Sequence, residues 1–373
     1  MVSTTLLTLL LGVTGVFALP PIPSPSSSAK DLRLCKTSPT DPGIWITEEE
    51  KFTRFISKKI NFVDITDTPN LEALAAEKAT NLQVSTASIE SAFPSGPAHQ
   101  SQAAPLISAL SQANLQTWTN GLANFYTRYY KSSYAPQAAT WLYDTVVSVA
   151  KANPTITVRK FNHSYSMPSI IAKIPGTTNS VVVVSAHYDS VGSTASGRAP
   201  GADDDASGVV VILEALRVLA AAKFKPSGPS LEFHFYSGEE GGLLGSRDVM
   251  NDYRTRNVDV LAVVNQDMTG YSPNNVIAIF DDYVSLPLTS FLKTLVPAYT
   301  QLKVLTDRCG YACSDHASAT AAGFPAAYVC EDSMNDSSPY IHSAQDAVST
   351  VNFAHVLQHA KFTVGFLVEA SYF

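Results

Sequence analysis

The distribution of apolar and polar positions predicts alternating helices and strands from about residue 106 to the C-terminus. Apolar residues recur at three- and four-residue spacing over Leu106–Leu122 and Ala135–Ala152, as in amphipathic helices. Val181–Ser185 is a continuous apolar run, which is typical of a strand buried on both faces. Gly208–Ala222 predicts a long helix, and Leu231–Tyr236 predicts a strand rich in aromatic residues. The other predicted elements are strands at Thr155–Phe161, Ser169–Ile174, Leu261–Gln266, Val276–Phe280 and Ala326–Cys330, and helices at Leu243–Tyr253, Leu288–Tyr299 and Phe353–Ala370.

This alternation predicts an α/β fold with a single globular domain. We expect a mostly parallel, mixed central sheet that is covered by helices on both faces. In such a sheet the functional side chains gather at the carboxyl ends of the strands. Residues that follow the predicted strands are therefore the first candidates for a site.

The N-terminal part of the chain differs in composition from this domain. Residues 1–18 carry an apolar run that is too short to span a bilayer and ends at Ala18 before two prolines, which predicts a signal peptide. Residues 19–34 are rich in Pro and Ser and are not expected to pack. A charged segment follows from Thr47, and residues 92–104 resemble a linker. We predict a pro-segment over residues 19–91 and a catalytic domain over 92–373; the alternative is a small accessory domain that stays attached.

The charge balance restricts the partners. The chain has 25 Lys and Arg against 32 Asp and Glu, a net charge of −7, and no dense basic run, which argues against nucleic acid. No segment after the leader is long and apolar enough to span a membrane. We expect a secreted, extracellular monomer without a membrane partner.

Four cysteines and two sequons agree with an oxidising, secretory environment. Cys309 and Cys313 are close enough in sequence to close a tight disulfide loop, whereas a zinc thiolate pair lacks a second Cys/His pair. Cys330, on a predicted buried strand, is expected to be a free thiol, and Cys35 would leave with the pro-segment; a Cys35–Cys330 bridge is the alternative. Asn162 and Asn335 are candidate glycosylation sites.

Acidic residues and histidines follow several predicted strands. Glu239 and Glu240 follow Leu231–Tyr236, and a neighbouring pair is explained if one carboxylate ligates a metal and the other moves a proton, although surface Glu-Glu pairs are common. The other members are His187 and Asp189 after VVVVSA, the triplet Asp203–Asp205 before a helix, Asp267 after VVNQ, and His342 in YIHSAQD. Imidazoles with several carboxylates form a ligand set suited to Zn²⁺, and the surplus carboxylates suit two metals with a bridging ligand.

Each member also has a structural explanation. His187 alone is more often a buried histidine with hydrogen-bond partners, and His342 a loop residue. One aspartate of Asp203–Asp205 is expected to cap the following helix, and Asp267 could cap a turn. The joint arrangement is harder to attribute to chance than any one of its members.

These motifs resemble peptidase family M28, in particular its secreted bacterial and fungal leucine aminopeptidases. The resemblance rests on His187-x-Asp189, GADDDASG, SGEEGG, NQDM and IHSAQD, and it covers roughly Leu106–Phe373. It implies a zinc-exopeptidase-like fold and a zinc-dependent aminopeptidase, a hydrolase of peptide substrates with a free N-terminus. The M20 peptidases have a similar order of motifs, but this chain has no room for their inserted dimerisation domain.

The resemblance also implies a role for each matching residue. Two Zn²⁺ per chain would be held by His187 and Asp267 at one site and by Glu240 and His342 at the other, with Asp204 bridging. Cobalt or manganese could serve the same ligands.

Three further residues match positions that act around the metals. Asp189 would orient His187, Glu239 would be the general base toward the attacking water, and Tyr311 would donate a hydrogen bond to the oxyanion. The implied substrate pocket is apolar and suits a leucine-like side chain; its positions are Met268, Cys309, Tyr311, Tyr328, Cys330, Met334 and Ile341. A glutaminyl cyclase on the same fold and a non-catalytic ectodomain are the alternatives, but all five metal-ligand positions are present.

Overall fold

The computed structural model describes residues 32–73 and 93–373. The predicted signal peptide, residues 1–18, lies outside the described residues, as does the predicted end of the pro-segment at residue 91. In the part that is described, no helix is long and apolar enough to cross a membrane.

An eight-stranded mixed sheet forms the centre of the large domain, as predicted. Its strands are β4 (Thr157–Phe161), β5 (Ser169–Ile174), β6 (Val181–His187), β7 (Ser230–Tyr236), β8 (Val260–Gln266), β9 (Val276–Phe280), β10 (Lys303–Asp307) and β11 (Ala326–Cys330). Their order across the sheet is β10-β9-β11-β8-β6-β7-β5-β4. The four central strands, β11, β8, β6 and β7, run parallel, and antiparallel pairs lie towards the edges. The carboxyl ends of the four central strands therefore meet at one edge of the sheet.

Strand β6 is buried along its whole length, and its first four residues, Val181–Val184, are apolar because both faces of the strand are covered. Val182 and Val184 pack in the larger core, whereas Val181 and Val183 pack in a second core on the opposite face. This division follows from the two-residue period of a strand.

The helices cover both faces of the sheet. They are α2 (Gln100–Ser108), α3 (Gln112–Ala123), α4 (Ala135–Ala150), α5 (Ala206–Ala221), α6 (Leu244–Thr255), α7 (Leu286–Tyr299), α8 (His316–Ala321) and α9 (Phe353–Ala370). Helices α6 and α8 contribute to the second core, and the others pack against the larger one.

Three expectations about the helices and strands were wrong or incomplete. Leu106–Leu122 is not one helix. Helix α2 ends at Ser108, and Ser111 then caps α3 by accepting a hydrogen bond from the backbone N–H of Asn114. Residues 100–104 belong to α2 rather than to a linker, since Ala103 is buried against the large domain. Strand β10 and the short helix α8 had no clear signal in the sequence.

The N-terminal unit, residues 32–73, is a small layer docked on the large domain. It contains β1 (Arg33–Lys36), β2 (Ile44–Ile46), α1 (Glu48–Arg54) and β3 (Val63–Asp64), with the antiparallel strand order β2-β1-β3. The expectation that residues 19–34 do not pack is wrong at its end, because Leu34 is buried in β1.

Buried polar contacts join the N-terminal unit to the large domain. The ammonium of Lys51 is fully buried and donates to Asp64 and to the backbone carbonyl of Gly241, both at 2.8 Å. The backbone N–H of Asp64 donates to the carbonyl of Gly242 at 2.9 Å. The unit is therefore attached directly behind the Glu239-Glu240 turn.

The cysteines follow the main prediction. Cys309 and Cys313 form a disulfide, which confirms that pair, and Cys35 and Cys330 are buried free thiols, so the alternative bridge between them does not form. Asn162 and Asn335 are both exposed, and their glycosylation stays a prediction.

Candidate active site

The candidate ligands come together where the parallel strands end. His187 is the last residue of β6, Asp267 follows β8, and Glu240 lies in the turn after β7. Asp204 comes from the loop before α5, and His342 from the loop after β11. All five residues line one cavity of about 350 Å³.

Asp204 lies between the two histidines. Its Oδ1 is 3.1 Å from Nε2 of His187, and its Oδ2 is 3.3 Å from Nε2 of His342. Asp267 Oδ1 is 3.6 Å from the same nitrogen of His187, and Glu240 Oε2 is 3.1 Å from that of His342. One carboxylate therefore presents one oxygen to each of two imidazoles.

The five side chains form two groups that each suit a metal ion. His187, Asp204 and Asp267 make one group, and Asp204, Glu240 and His342 make the other; within each group the potential ligand atoms lie within 4.8 Å of one another. Imidazole nitrogen and carboxylate oxygen are ligands that zinc accepts. Among the described residues, Oε1 of Glu240 is buried and has no hydrogen-bond partner, which is explained if a cation belongs there.

The crowding of acidic groups perturbs their titration. Burial, opposed by His342 and reinforced by Asp204, raises the pKa of Glu240 to about 7. Burial, opposed by His187 and reinforced by Glu240, raises the pKa of Glu239 well above its usual range. Burial acts against protonation of His187, but the surrounding carboxylates, Asp267 first, outweigh it and raise its pKa. A cation among these carboxylates would favour their ionised forms.

Two aspartates hold the acidic loop in place. Asp205 caps α5 by accepting from the backbone N–H of Gly208, which confirms that one residue of the triplet is a cap, and it also accepts from that of Met268. Asp346 accepts from the N–H groups of Asp203 at 2.8 Å and Asp204 at 3.1 Å. Asp204 is thus left free to face the cavity.

The comparisons with known proteins agree with this geometry. The model of "Peptidase family M28" matches residues 169–367. Leucine aminopeptidase 1 of Sclerotinia sclerotiorum is 41% identical over 344 residues, which cover 88% of this chain and 86% of that protein. Leucine aminopeptidase 1 of Chaetomium globosum is 38% identical over 366 residues, 94% of this chain and 88% of that one. The chain belongs to peptidase family M28.

Solved structures of two bacterial proteins share the fold of this M28 peptidase. The LapA aminopeptidase of Legionella pneumophila superimposes with a TM-score of 0.78 at 26% identity, covering 91% of this chain and 94% of that one. LapB of the same organism gives a TM-score of 0.76 at 25% identity, covering 91% and 95%. The prediction of a zinc-dependent aminopeptidase with the zinc-exopeptidase fold is confirmed.

Asp189 connects the two halves of the M28 site. Its carboxylate accepts from the backbone N–H groups of Glu239 at 3.1 Å and Glu240 at 3.2 Å, so it fixes the turn that carries both glutamates. Its Oδ1 also lies 3.6 Å from Nδ1 of His187. That distance is longer than a normal hydrogen bond, so in this state Asp189 positions the glutamate turn more directly than the imidazole.

Ser314 and Asp315, which follow the disulfide loop, lie at the site and were not predicted from the sequence. The hydroxyl of Ser314 donates to Oδ2 of Asp267 at 2.5 Å, and it accepts from the amide of Asn265. Asp315 is buried, and burial raises its pKa to about 7. The available signal was the sequence CSDH directly after a predicted loop, but no strand preceded it to mark a sheet edge.

Arg128 supports the same loops from behind and was also missed. Its guanidinium is fully buried and donates to the backbone carbonyls of Tyr188 at 2.7 Å and Gly201 at 2.9 Å. These carbonyls belong to the two chain segments that contain His187 and Asp204. The two interactions span 60 and 73 residues along the chain, so no local pattern could reveal them.

The predicted substrate-pocket residues divide into two groups. Met268, Tyr328, Met334 and Ile341 line the cavity. Cys330 is buried behind it, in a cluster with Phe280 and Tyr328, and Cys309 packs against that cluster. Met268 and His342 have positive φ values of 61° and 57°, a conformation that is uncommon in non-glycine residues.

Tyr311, which was predicted to serve the oxyanion, also lies outside the active-site cavity. Its neighbours Ala312 and Cys313 line the cavity, but the Tyr311 side chain lines a second cavity of about 300 Å³ beside the N-terminal unit.

Proposed function

We propose that this M28 peptidase is a secreted di-zinc aminopeptidase that releases leucine and other large apolar residues from peptide N-termini. The observation that carries the proposal is the position of Asp204, with one carboxylate oxygen toward each of two histidines. A single-metal site has no need of such an arrangement. The names of the fungal relatives support the preference for leucine.

His187 and Asp267 would hold one zinc ion, Glu240 and His342 the other, and Asp204 would contact both. When bound, the two ions supply Lewis acids and lower the pKa of water at the site. Each ligand group contains one imidazole and two carboxylates, counting Asp204 in both.

Glu239 is the residue that moves protons. It lies in the same turn as the ligand Glu240, lines the cavity, and has its backbone fixed by Asp189. Its carboxylate accepts a proton from the attacking water and then delivers it to the leaving amine. Burial raises its pKa above that of a free glutamate, which favours holding the proton until it is delivered to the amine.

The cavity lining supports an apolar first residue. Met268, Tyr328, Met334 and Ile341 form the apolar part of the wall, and methionine side chains adapt to ligands of different shape. The carboxylates on the opposite part would attract the positive charge of a free N-terminus. The glutaminyl cyclase alternative has only fold-level support, since the cyclase of Porphyromonas gingivalis is 19% identical with a TM-score of 0.57.

We further propose that residues 19–91 are a pro-segment that limits access to the site. Ile56, Lys59, Ile60, Asn61 and Phe62 of the N-terminal unit line the same cavity as the catalytic residues. A peptide longer than a few residues would contact these five residues beyond the scissile bond.

The first experiment is metal analysis of the purified protein with hydrolysis of leucine p-nitroanilide before and after chelation. Two zinc ions per chain, with activity lost on chelation and restored by zinc, support the proposal. One zinc with cyclisation of an N-terminal glutaminyl peptide and no anilide hydrolysis would instead support the cyclase. A panel of leucine, alanine and lysine anilides tests the preference for large apolar residues.

The pro-segment is tested by cutting the folded chain. A site-specific protease sequence placed within residues 80–86 allows the N-terminal unit to be released after folding. We expect faster hydrolysis of a leucine-initiated decapeptide after cleavage and dissociation, with a smaller gain for the anilide. Equal rates on both substrates before and after release would contradict the proposal. N-terminal sequencing of the secreted protein tests the signal peptide.

A further inference from the structure

Tyr311 lies in the disulfide loop Cys309–Cys313, next to the active site but turned away from it. Gly310 and Ala312 on either side have positive φ values of 88° and 58°. A Cβ at Gly310 would meet nothing within 4 Å, so the space around this turn is open. The backbone neighbours of Tyr311 line the active-site cavity, which puts that cavity within reach of a tyrosine side chain from this loop.

The N-terminal unit holds the Tyr311 side chain in its present position. The phenol ring packs against the cluster formed by Leu34, Val63 and Ile65 of that unit. The Tyr311 hydroxyl donates to Oε1 of Glu72 at 3.2 Å. The donor that would serve the oxyanion is therefore engaged by a carboxylate from the N-terminal unit.

Glu72 is itself fixed by cations from both sides of the interface. Its Oε2 lies 2.8 Å from Nζ of Lys36, and its Oε1 lies 3.6 Å from the guanidinium of Arg247 in α6. Lys36 also lies over the Tyr311 ring, 5.8 Å from its centre. Burial, with Glu72 as the next contribution, raises the pKa of Tyr311, so its hydroxyl keeps its proton and remains a donor.

We propose that Glu72 is a positioning residue that withholds the Tyr311 hydroxyl from the reaction while the N-terminal unit is attached. This inference rests on the proposed function and on the prediction from the family resemblance that Tyr311 donates a hydrogen bond to the oxyanion. Because the Glu72 carboxylate is a charged acceptor, it holds the hydroxyl more firmly than a neutral group would. Release of residues 32–73 removes the Glu72 carboxylate together with Leu34, Val63 and Ile65, while Leu243 and Ala312 of the cluster stay with the large domain, and Tyr311 becomes free to turn toward the cavity.

The Glu72–Tyr311 contact would limit activity in a second way. The residues of the N-terminal unit that line the cavity restrict the size of the substrate, whereas the Glu72–Tyr311 contact lowers the rate of the reaction at the scissile carbonyl. The cavity of about 350 Å³ that remains with the unit attached is within the range of small-ligand pockets, so a leucine anilide reports on the effect on the rate.

A double-mutant cycle in the full, uncut chain separates this role from a structural one. The variants are Glu72→Ala, Tyr311→Phe and the two combined, and the measurement is kcat and KM for leucine p-nitroanilide. We expect Glu72→Ala to raise kcat about tenfold, the scale of one hydrogen bond to a charged group, with KM nearly unchanged. In the Tyr311→Phe background the same substitution should leave kcat unchanged.

Glu49→Ala is the matched control, since Glu49 is an exposed glutamate of the same unit and lies outside both cavities. It should leave kcat unchanged. Glu72→Gln, which keeps the size of the side chain and loses the charge pairs, should give a smaller rise than Glu72→Ala and serves if the alanine variant does not fold.

The outcomes separate this inference from the function itself. Absence of zinc-dependent hydrolysis in the cut, released enzyme overturns the proposed function. Normal hydrolysis in that enzyme, combined with no rise for Glu72→Ala and Glu72→Gln, or with an equal rise in the Tyr311→Phe background, overturns the role of Glu72.

Discussion

The two oxygens of Asp204 and the adjacent Glu239-Glu240 pair divide the chemistry of the site among a few atoms. Asp204 and Glu240 face histidine nitrogens, whereas Glu239 lines the cavity without a place in either ligand group. The two neighbouring glutamates thus differ in role because the turn after β7 directs the Glu240 carboxylate toward a histidine and the Glu239 carboxylate toward the cavity. Side-chain type alone does not distinguish them.

The separation of roles predicts a difference between the two glutamates. Glu239→Ala is expected to keep the fold and the zinc content and to lose activity by a factor of about 10²–10⁴, because it removes only the proton-transfer group. Glu240→Ala, the matched substitution, should lower the zinc content. The measurements are elemental analysis and kcat for a leucine anilide; near-normal turnover by the Glu239 variant would exclude this mechanism.

His316 predicts a pH dependence of stability. Its ring is fully buried, stacks on Tyr328 at 4.8 Å, and both ring nitrogens have no hydrogen-bond partner among the described residues. Burial lowers its pKa to about 3. The unfolded chain therefore binds the proton more tightly, and stability falls as the pH drops below about 6.5 and continues to fall toward pH 3.

His316→Phe, which keeps a flat ring against Tyr328, removes this dependence. From pH 6.5 to 5, we expect the free energy of unfolding of the wild type to fall relative to that of the variant by roughly 2 kcal/mol. Urea unfolding of both proteins at several pH values measures the difference. A difference that stays constant with pH would contradict the assignment to His316.

At the scale of elements, β6 and β7 were predictable because they carry a strong local pattern. Helix α3 was not separated from α2, because the division depends on Ser111, whose backbone N–H donates to Glu214 about a hundred residues away. Strand β10 is only half-buried at the edge of the sheet, so its apolar pattern is weak.

Helix α1 is the element through which the N-terminal unit is attached. Lys51→Met leaves Asp64 with Arg33 as its remaining cationic partner and removes the donor to the carbonyl of Gly241. Breaking a buried pair costs about 3–5 kcal/mol, and we expect the lower end because Arg33 remains. Hydrogen exchange of β1 amides measures the effect as faster exchange in the variant.

The control for Lys51 is an exposed pair on the same helix. Arg54 and Glu50 lie 2.8 Å apart and are largely exposed, so Arg54→Met should leave the exchange rates of the β1 amides nearly unchanged. Equal exchange rates in the two variants would argue against a special role for Lys51.

At the scale of the whole molecule, the acidic centre makes stability depend on metal. Burial raises the pKa values of Glu240 and Asp315 to about 7, so an ionised centre without a cation is unfavourable. Zinc that binds only the folded chain stabilises it by about 4 kcal/mol at a concentration a thousand times its Kd. Urea unfolding after chelation, with and without added zinc, measures this gain.

The control for this measurement is the double variant Asp204→Asn with Glu240→Gln, which keeps the size of both side chains and weakens both ligand groups. Added zinc should stabilise this variant little against urea unfolding. An equal gain in the wild type and the variant would show that the ions stabilise the fold from another position.

The sequence alone determined the α/β class, the central strands, the disulfide and the residues that line the candidate metal site. These follow from local patterns: a strand buried on both faces has to be apolar, and ligands that follow parallel strands meet at one edge. The tertiary structure decided what depends on contacts between distant segments. It assigned Asp205 to the helix cap, placed Arg128 and Ser314 behind the ligands, and brought Glu72 to Tyr311. No pattern within one segment contains that information, because each contact is fixed only when the packed sheet and the N-terminal unit meet.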